Sequence, residues 1–138
     1  MKVPSQVLVH SQSRSLELIY DDGEHSVFSF EFLRVMSPSA DVAGHTPDEA
    51  VLQVGKRDVT LKGVEPVGLY ALKLIFSDGH DTGVYSWDYF EDLARTKDER
   101  WAAYLADLKK AGASRDPRDP ANKPFLAKEK KPATHCGA

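Results

Sequence analysis

The sequence predicts an α+β fold: two hairpin–helix units around a small, mainly antiparallel sheet, closed by C-terminal helices. Three observations carry that expectation. Asp-Gly pairs at Asp22-Gly23 and Asp78-Gly79 each lie between runs rich in β-branched and aromatic residues, a strong short-range hairpin signal. The sequence around the first pair echoes the sequence around the second. From Trp87 onward, apolar residues recur three and four apart, the period of a helix with one buried face.

The echo is detailed. Leu16-Glu17-Leu18-Ile19-Tyr20-Asp21-Asp22-Gly23 matches Leu72-Lys73-Leu74-Ile75-Phe76-Ser77-Asp78-Gly79. Val27-Phe28-Ser29-Phe30-Glu31-Phe32-Leu33 then matches Val84-Tyr85-Ser86-Trp87-Asp88-Tyr89-Phe90, so the second turn is one residue longer. Each copy reads as strand, turn, strand and helix start. A short helix over about 30–36 is expected to end the first copy. The Pro, Gly and Ser content of 37–47 marks a loop. Residues 59–64 alternate enough for a further strand, and Glu65-Pro66-Val67-Gly68 reads as a turn or bulge before a strand at 70–77. After the second hairpin, Ser86 suits a helix N-cap. Thr96-Lys97-Asp98-Glu99 has the form of a capping box. The pattern therefore predicts a break near 95–97 between two helices, with Gly112 as the final stop.

A chain of 138 residues fits one domain. Residues 1–13 are expected to be flexible and 14–112 to form the domain. Beyond Gly112 lie four of the eight prolines and a single aromatic, Phe125. Such a segment offers little apolar surface to offset the entropy of ordering, so 113–138 is expected to be a disordered basic tail. Residues 1–112 carry 12 Lys+Arg against 18 Asp+Glu, whereas 113–138 carry six against three. An acidic body argues against a nucleic-acid face. No apolar run approaches the ~18 residues of a membrane span. The first residues lack the apolar stretch of a signal peptide, and one cysteine excludes an internal disulfide. The expectation is a cytoplasmic protein with no membrane or nucleic-acid partner.

The catalytic motifs are missing. There is no GxxxxGK[ST] or GxGxxG phosphate loop and no HExxH, GxSxG or EF-hand pattern. The candidate residues are therefore weighed for binding. His80 and Asp81 at the second hairpin tip offer an imidazole beside carboxylates, which suits a metal ion or a proton switch, and equally suits a polar turn. His45 in the 37–47 loop has the same two readings. Arg34 follows Phe32-Leu33 and either pairs with a buried carboxylate or a ligand, or sits on the helix surface. Tyr85 or Tyr89 lines a groove, while Trp87 belongs to the core. His135-Cys136 holds soft-metal donors but lacks the further ligands that zinc takes.

Three stretches are familiar together: Leu33 through His45, Glu65 through Leu72, and Phe76 through Phe90. Over roughly residues 14–95 the chain resembles the small bacterial family of unknown function named after the N-terminal domain of γ-butyrobetaine hydroxylase. In the hydroxylase, the resemblance implies, this domain is a non-catalytic appendage. It holds a structural zinc through a Cys-x-Cys-x-x-Cys loop and a later His, and the iron and 2-oxoglutarate chemistry belongs to a separate domain. The 138 residues leave no room for that second domain, so hydroxylase activity does not carry over and no cofactor is expected. Ser37, Ser39 and Val42 stand where the three cysteines would be, and only His80 matches the fourth ligand. Similar domains also occur attached to P-loop carriers of iron–sulfur clusters, which implies a link to iron or iron–sulfur metabolism.

The leading expectation is a non-enzymatic binding module with a protein partner. Its surface is built from the 37–47 loop, the 65–70 turn and the 78–83 tip, with Arg34, Ser37, His45, Tyr70, His80, Asp81 and Tyr85 as candidate residues. The alternatives are a metal-binding accessory protein using His80, and a small-molecule binder or enzyme with an unfamiliar site.

Overall fold

The computed structural model describes residues 2–130 and has the α+β class expected. Two three-stranded antiparallel sheets each lead into a helix. The first contains β1 (Gln6–His10), β2 (Ser15–Ile19) and β3 (His25–Ser29) and runs into α1 (Phe30–Val35). A short α2 (Ala40–Ala43) and a 3-10 turn at Pro47–Glu49 follow. The second contains β4 (Leu61–Val67), β5 (Ala71–Phe76) and β6 (Gly83–Ser86) and runs into α3 (Trp87–Ala111). Both sheets are meanders with the middle strand most buried.

The sequence echo is a structural duplication. Tyr20 N–H donates to the Glu24 carbonyl at 2.9 Å and Phe76 N–H to the His80 carbonyl at 3.0 Å. Gly23 N–H donates back to Tyr20 and Gly79 N–H to Phe76, at 3.0 and 3.1 Å. Both glycines close their turns at φ near +90°, where any Cβ is strained. Asp22 and Asp78 each accept the backbone N–H two residues on, the Asx-turn device. The helices start alike too: Ser29 Oγ accepts Phe32 N–H and Ser86 Oγ accepts Tyr89 N–H, each at 3.0 Å. A serine in this role satisfies one of the orphan N–H groups of the first helical turn.

One core joins the two copies. Leu16, Leu18 and Phe28 from the first sheet share it with Leu72, Leu74, Phe76 and Tyr85 from the second, together with Phe30, Leu33, Phe90 and Leu93 from the helices. Phe28 contacts Phe32 and Phe90, and Phe90 stacks on Tyr85 and Trp87. A satellite cluster of Val35, Val54, Tyr104 and Leu108 ties the second half of α3 to the segment after α2. Trp87 is core, as its spacing implies.

Four expectations are corrected. Residues 6–10, expected within a flexible N-terminus, form β1. Val7-Leu8-Val9 is too short to show alternation and lacks an Asp-Gly turn to announce it. β4 continues through Pro66 rather than turning at 65–68, which an edge strand permits because the missing N–H faces away from the sheet. The break near 95–97 is present as a kink at which two helical stretches meet, with Thr96 at φ −115°, ψ 16°, but the expected capping box is not formed. Thr96 does not cap: its Oγ donates to the Asp92 carbonyl at 2.7 Å and accepts from Arg100 Nε at 2.7 Å. Finally, 113–130 is ordered, with a 3-10 turn at Pro120–Asn122 and α4 (Lys123–Lys130). Arg115 forks onto Glu31 with two bonds of 2.6 Å, and fully buried Asn122 holds Ser114 N–H and the Asp116 carbonyl. A long-range ion pair and one buried amide leave no trace in composition. Residues 131–138, with His135-Cys136, lie outside the described residues.

Candidate functional site

The second hairpin tip closes onto the loop after α1 through a row of polar bonds. Ser37 Oγ meets His80 Nε2 at 2.8 Å, Ser39 Oγ meets Thr82 Oγ1 at 2.7 Å, and Thr82 donates on to Asp41 at 3.1 Å. Ser37 Oγ also accepts Ser39 N–H at 3.2 Å, and Ser39 Oγ starts α2 by accepting Asp41 N–H. The loop and the tip are thus bonded to each other at several points. Gly83 makes the closeness possible: a Cβ there would stand 2.6 Å from Ser37 Oγ and 3.0 Å from the Tyr85 ring.

Beneath this clasp lies an ionic knot. Asp78 accepts from Arg34 Nε at 2.9 Å and from Lys56 Nζ at 3.0 Å, and Arg34 also donates to Gln53 at 2.9 Å. Burial works to raise the Asp78 pKa, but the Arg34 and Lys56 charges outweigh it and hold the carboxyl below its usual range. The same surroundings act on His80. Burial, aided by the Arg34 charge and only partly opposed by Asp78, lowers its pKa to about 4, so the ring is neutral at pH 7. The ring belongs to a Ser–His pair without a third member: among the described residues no carboxylate bonds its other nitrogen, and Asp78 takes the backbone N–H instead.

The expected site residues scatter. Arg34, Ser37 and His80 come together, but Arg34 and Ser37 are buried, Ser37 to 2 % exposure. Asp81 is exposed at the tip and His45 is exposed in its loop, where its backbone N–H donates to Glu49. Tyr70 is far from the clasp. It lies at the opposite end of β5, about 20 Å of strand away, with its carbonyl bonded by Trp87 N–H. Tyr85 faces no groove: it is fully buried, and its hydroxyl donates to the Leu33 carbonyl. Tyr89 is the tyrosine that lines one. Sequence reading missed Gln53, Lys56, Asp78, Ser39 and Thr82 as members of the cluster. Residues 53–56 show no periodicity, and only the exact echo of Asp22 in Asp78 singled out that aspartate.

The zinc positions implied by the family resemblance do come together, with Ser37, Ser39 and Val42 in one turn and His80 opposite. Neutral hydroxyls and a valine methyl are not zinc donors, so this set does not suit the metal. Hydrogen bonds between loop and tip occupy its place. Among the described residues no group of three or more His, Cys, Asp or Glu side chains is arranged to hold a metal ion.

Behind the clasp runs a groove of about 490 Å³ between the 35–37 and 42–53 segments and α3, which lines it on both sides of its kink. Met36, Val42, Leu52, Tyr89, Ala103 and Tyr104 make it largely apolar. The tyrosine hydroxyls are already committed, Tyr89 to the Met36 carbonyl at 2.5 Å and Tyr104 to the Gln53 carbonyl at 2.7 Å. Arg100 at one end is neutralised by Asp92 at 2.6 Å. Asp107 at the other end is exposed and bonds no described side chain. Among the described residues no helix is long and apolar enough to cross a membrane.

Comparison with known proteins places the chain. No curated protein sequence matches it. A protein solved by solution NMR is 52% identical, covering 86% of this chain and 94% of its own with a TM-score of 0.74. A second NMR structure is 44% identical, covering 85% and 87% with a TM-score of 0.73. The crystal structure of a protein of unknown function from Acidithiobacillus ferrooxidans, assigned to the DUF971 family, is 37% identical over 66% of this chain and 91% of its own, with a TM-score of 0.54. Residues 7–91, which hold both hairpins and the clasp, match the family model for the N-terminal region of γ-butyrobetaine hydroxylase-like proteins. The chain belongs to the γ-butyrobetaine hydroxylase-like N-terminal domain family.

Proposed function

We propose that the protein is a non-enzymatic binding module, and that its working surface is the groove beside α3. The occupant is a partner-protein segment with an apolar side chain flanked by lysine or arginine. The groove itself carries the reading. It is apolar along its floor, its tyrosine hydroxyls are satisfied internally, and the one ionic group left open on its rim, among the described residues, is the Asp107 carboxylate. The acidic balance of residues 1–112 favours the same kind of partner. The clasp keeps the groove wall formed before binding, which lowers the entropy cost of association. A neutral, bonded His80 and a buried Ser37 supply no free nucleophile or base, which supports the non-enzymatic reading. The expected tie to iron or iron–sulfur metabolism selects the first natural partners to try.

The test is an NMR titration of the labelled protein with two model peptides, one of leucine and lysine and one of leucine and glutamate. Binding of the basic peptide should shift Met36, Val42, Leu52, Ala103 and Tyr104, and Ala103→Arg should abolish those shifts while the spectrum stays folded. Equal binding of both peptides, shifts elsewhere, or no shifts with the basic peptide would overturn the proposal.

A further inference from the structure

Of the four strand edges in the two sheets, three are guarded. β4 carries Pro66 and a register shift between Leu61 and Gly63, and both disrupt an added ladder. The Val27 carbonyl of β3 accepts from the Lys97 ammonium at 2.8 Å. β6 is four residues long and runs directly into α3, and short edge strands make poor templates. β1 has none of these devices. Gln6-Val7-Leu8-Val9-His10 contains no proline, lysine or carboxylate, and among the described residues no strand pairs its outer edge. Leu8 and Val9 are exposed on it, as is Val3 just before it.

We propose that β1 is a dimer edge, paired antiparallel with β1 of a second copy of this chain about a two-fold axis through Leu8. The strand is self-complementary in that register. Val7 meets Val9 of the other copy, Leu8 meets Leu8, and Gln6 meets His10, so apolar residues face apolar ones and polar ends face polar ends. Val7 and Val9 lie on the face that covers the core, since their β2 partners Leu18 and Leu16 are fully buried. Pairing therefore continues each core face across the axis and covers Val9. A slip of one residue would turn the two core faces to opposite sides of the joined sheet. A slip of two would cost two of the five pairs. The isologous contact closes on itself, as two-fold contacts do, rather than growing into a fibre.

Sedimentation velocity of the full chain from micromolar to near-millimolar concentration tests this. The wild type should pass from monomer to dimer. Leu8→Lys should raise the dissociation constant roughly ten-fold or more, because like charges then stand opposite each other, with its melting temperature unchanged at dilutions where the wild type is monomeric, because Leu8 is outside the core. Leu69→Lys, at the exposed β4–β5 turn, should dimerise like the wild type. An equimolar mixture of Leu8→Lys and Leu8→Glu should restore a dimer that neither forms alone. A wild type that stays monomeric throughout, a dimer that survives Leu8→Lys, or a mixture that remains monomeric would overturn the proposal.

Discussion

At Ser37 a single hydroxyl holds three things: the His80 ring, the Ser39 amide and the room that Gly83 leaves open. Ser37→Ala should cost about 1–2 kcal/mol by leaving buried groups unpaired, read as a lower midpoint in urea. Gly83→Ala should also destabilise, because its methyl would collide with Ser37 Oγ and the Tyr85 ring. The double variant should lose less than the two single losses added, since Ser37→Ala removes one of the colliding atoms. His80 gives a pH signature. Its folded pKa of about 4 lies below the unfolded value near 6.5. Between those values the unfolded chain binds a proton that the folded chain refuses, so stability falls as pH drops from about 6.5 to about 4. The ring is only half buried, and after screening the loss should be on the order of 1 kcal/mol. His80→Gln should flatten that slope in urea midpoints measured across the window. An unchanged slope would show that another group titrates there.

At the scale of elements, the helix starts are the most legible feature in the sequence. Ser86 was identifiable as an N-cap from sequence alone, and Ser29 plays the same part. Replacing either by alanine should cost about 1 kcal/mol, visible in thermal melts. The hairpins were legible for a similar reason: an Asp-Gly turn needs a positive φ, and Gly23 and Gly79 both adopt it. What stayed hidden depends on distance. Thr96 has the spelling of a cap, yet its hydroxyl is drawn to the Asp92 carbonyl and to Arg100, so the two helical stretches meet in a kink without a capping box. The 113–130 segment looks like a tail by composition, yet Arg115 reaches back to Glu31, whose side chain is only 8% exposed. Arg115→Ala would strand that carboxylate and should cost about 1–3 kcal/mol, less than for a fully buried pair because Arg115 is itself 39% exposed, measured by chemical denaturation. A loss below 1 kcal/mol would mean that the segment is merely laid on the surface.

At the scale of the molecule, the repeat joins two copies whose matched positions carry different duties. The class and the core were readable because both copies have the same strand alternation and the same helix start. The site was less readable because its members come from five separate segments, α1, the loop after it, residues 53–56, the 78–82 tip and α3. Only the loop and the tip carry sequence punctuation. The groove was hidden for the same reason: α3 lines it with Ala103 and Tyr104, which a helical wheel assigns simply to packing. Since Ser37, Ser39 and Val42 offer no thiolate, chelation by EDTA should leave the melting temperature unchanged. A fall of several degrees would reveal a bound metal held by residues outside those described.

The matched turns also set how freely each half can vary. Asp22 and Asp78 make the same Asx bond, but among the described side chains Asp22 pairs with the half-buried Lys2 alone, whereas Asp78 anchors Arg34 and Lys56. One aspartate is a replaceable part and its twin is a keystone. A saturation library selected for folded protein should therefore be lopsided: glycine alone retained at both 23 and 79, a wide range of residues tolerated at 22, and almost nothing but aspartate surviving at 78.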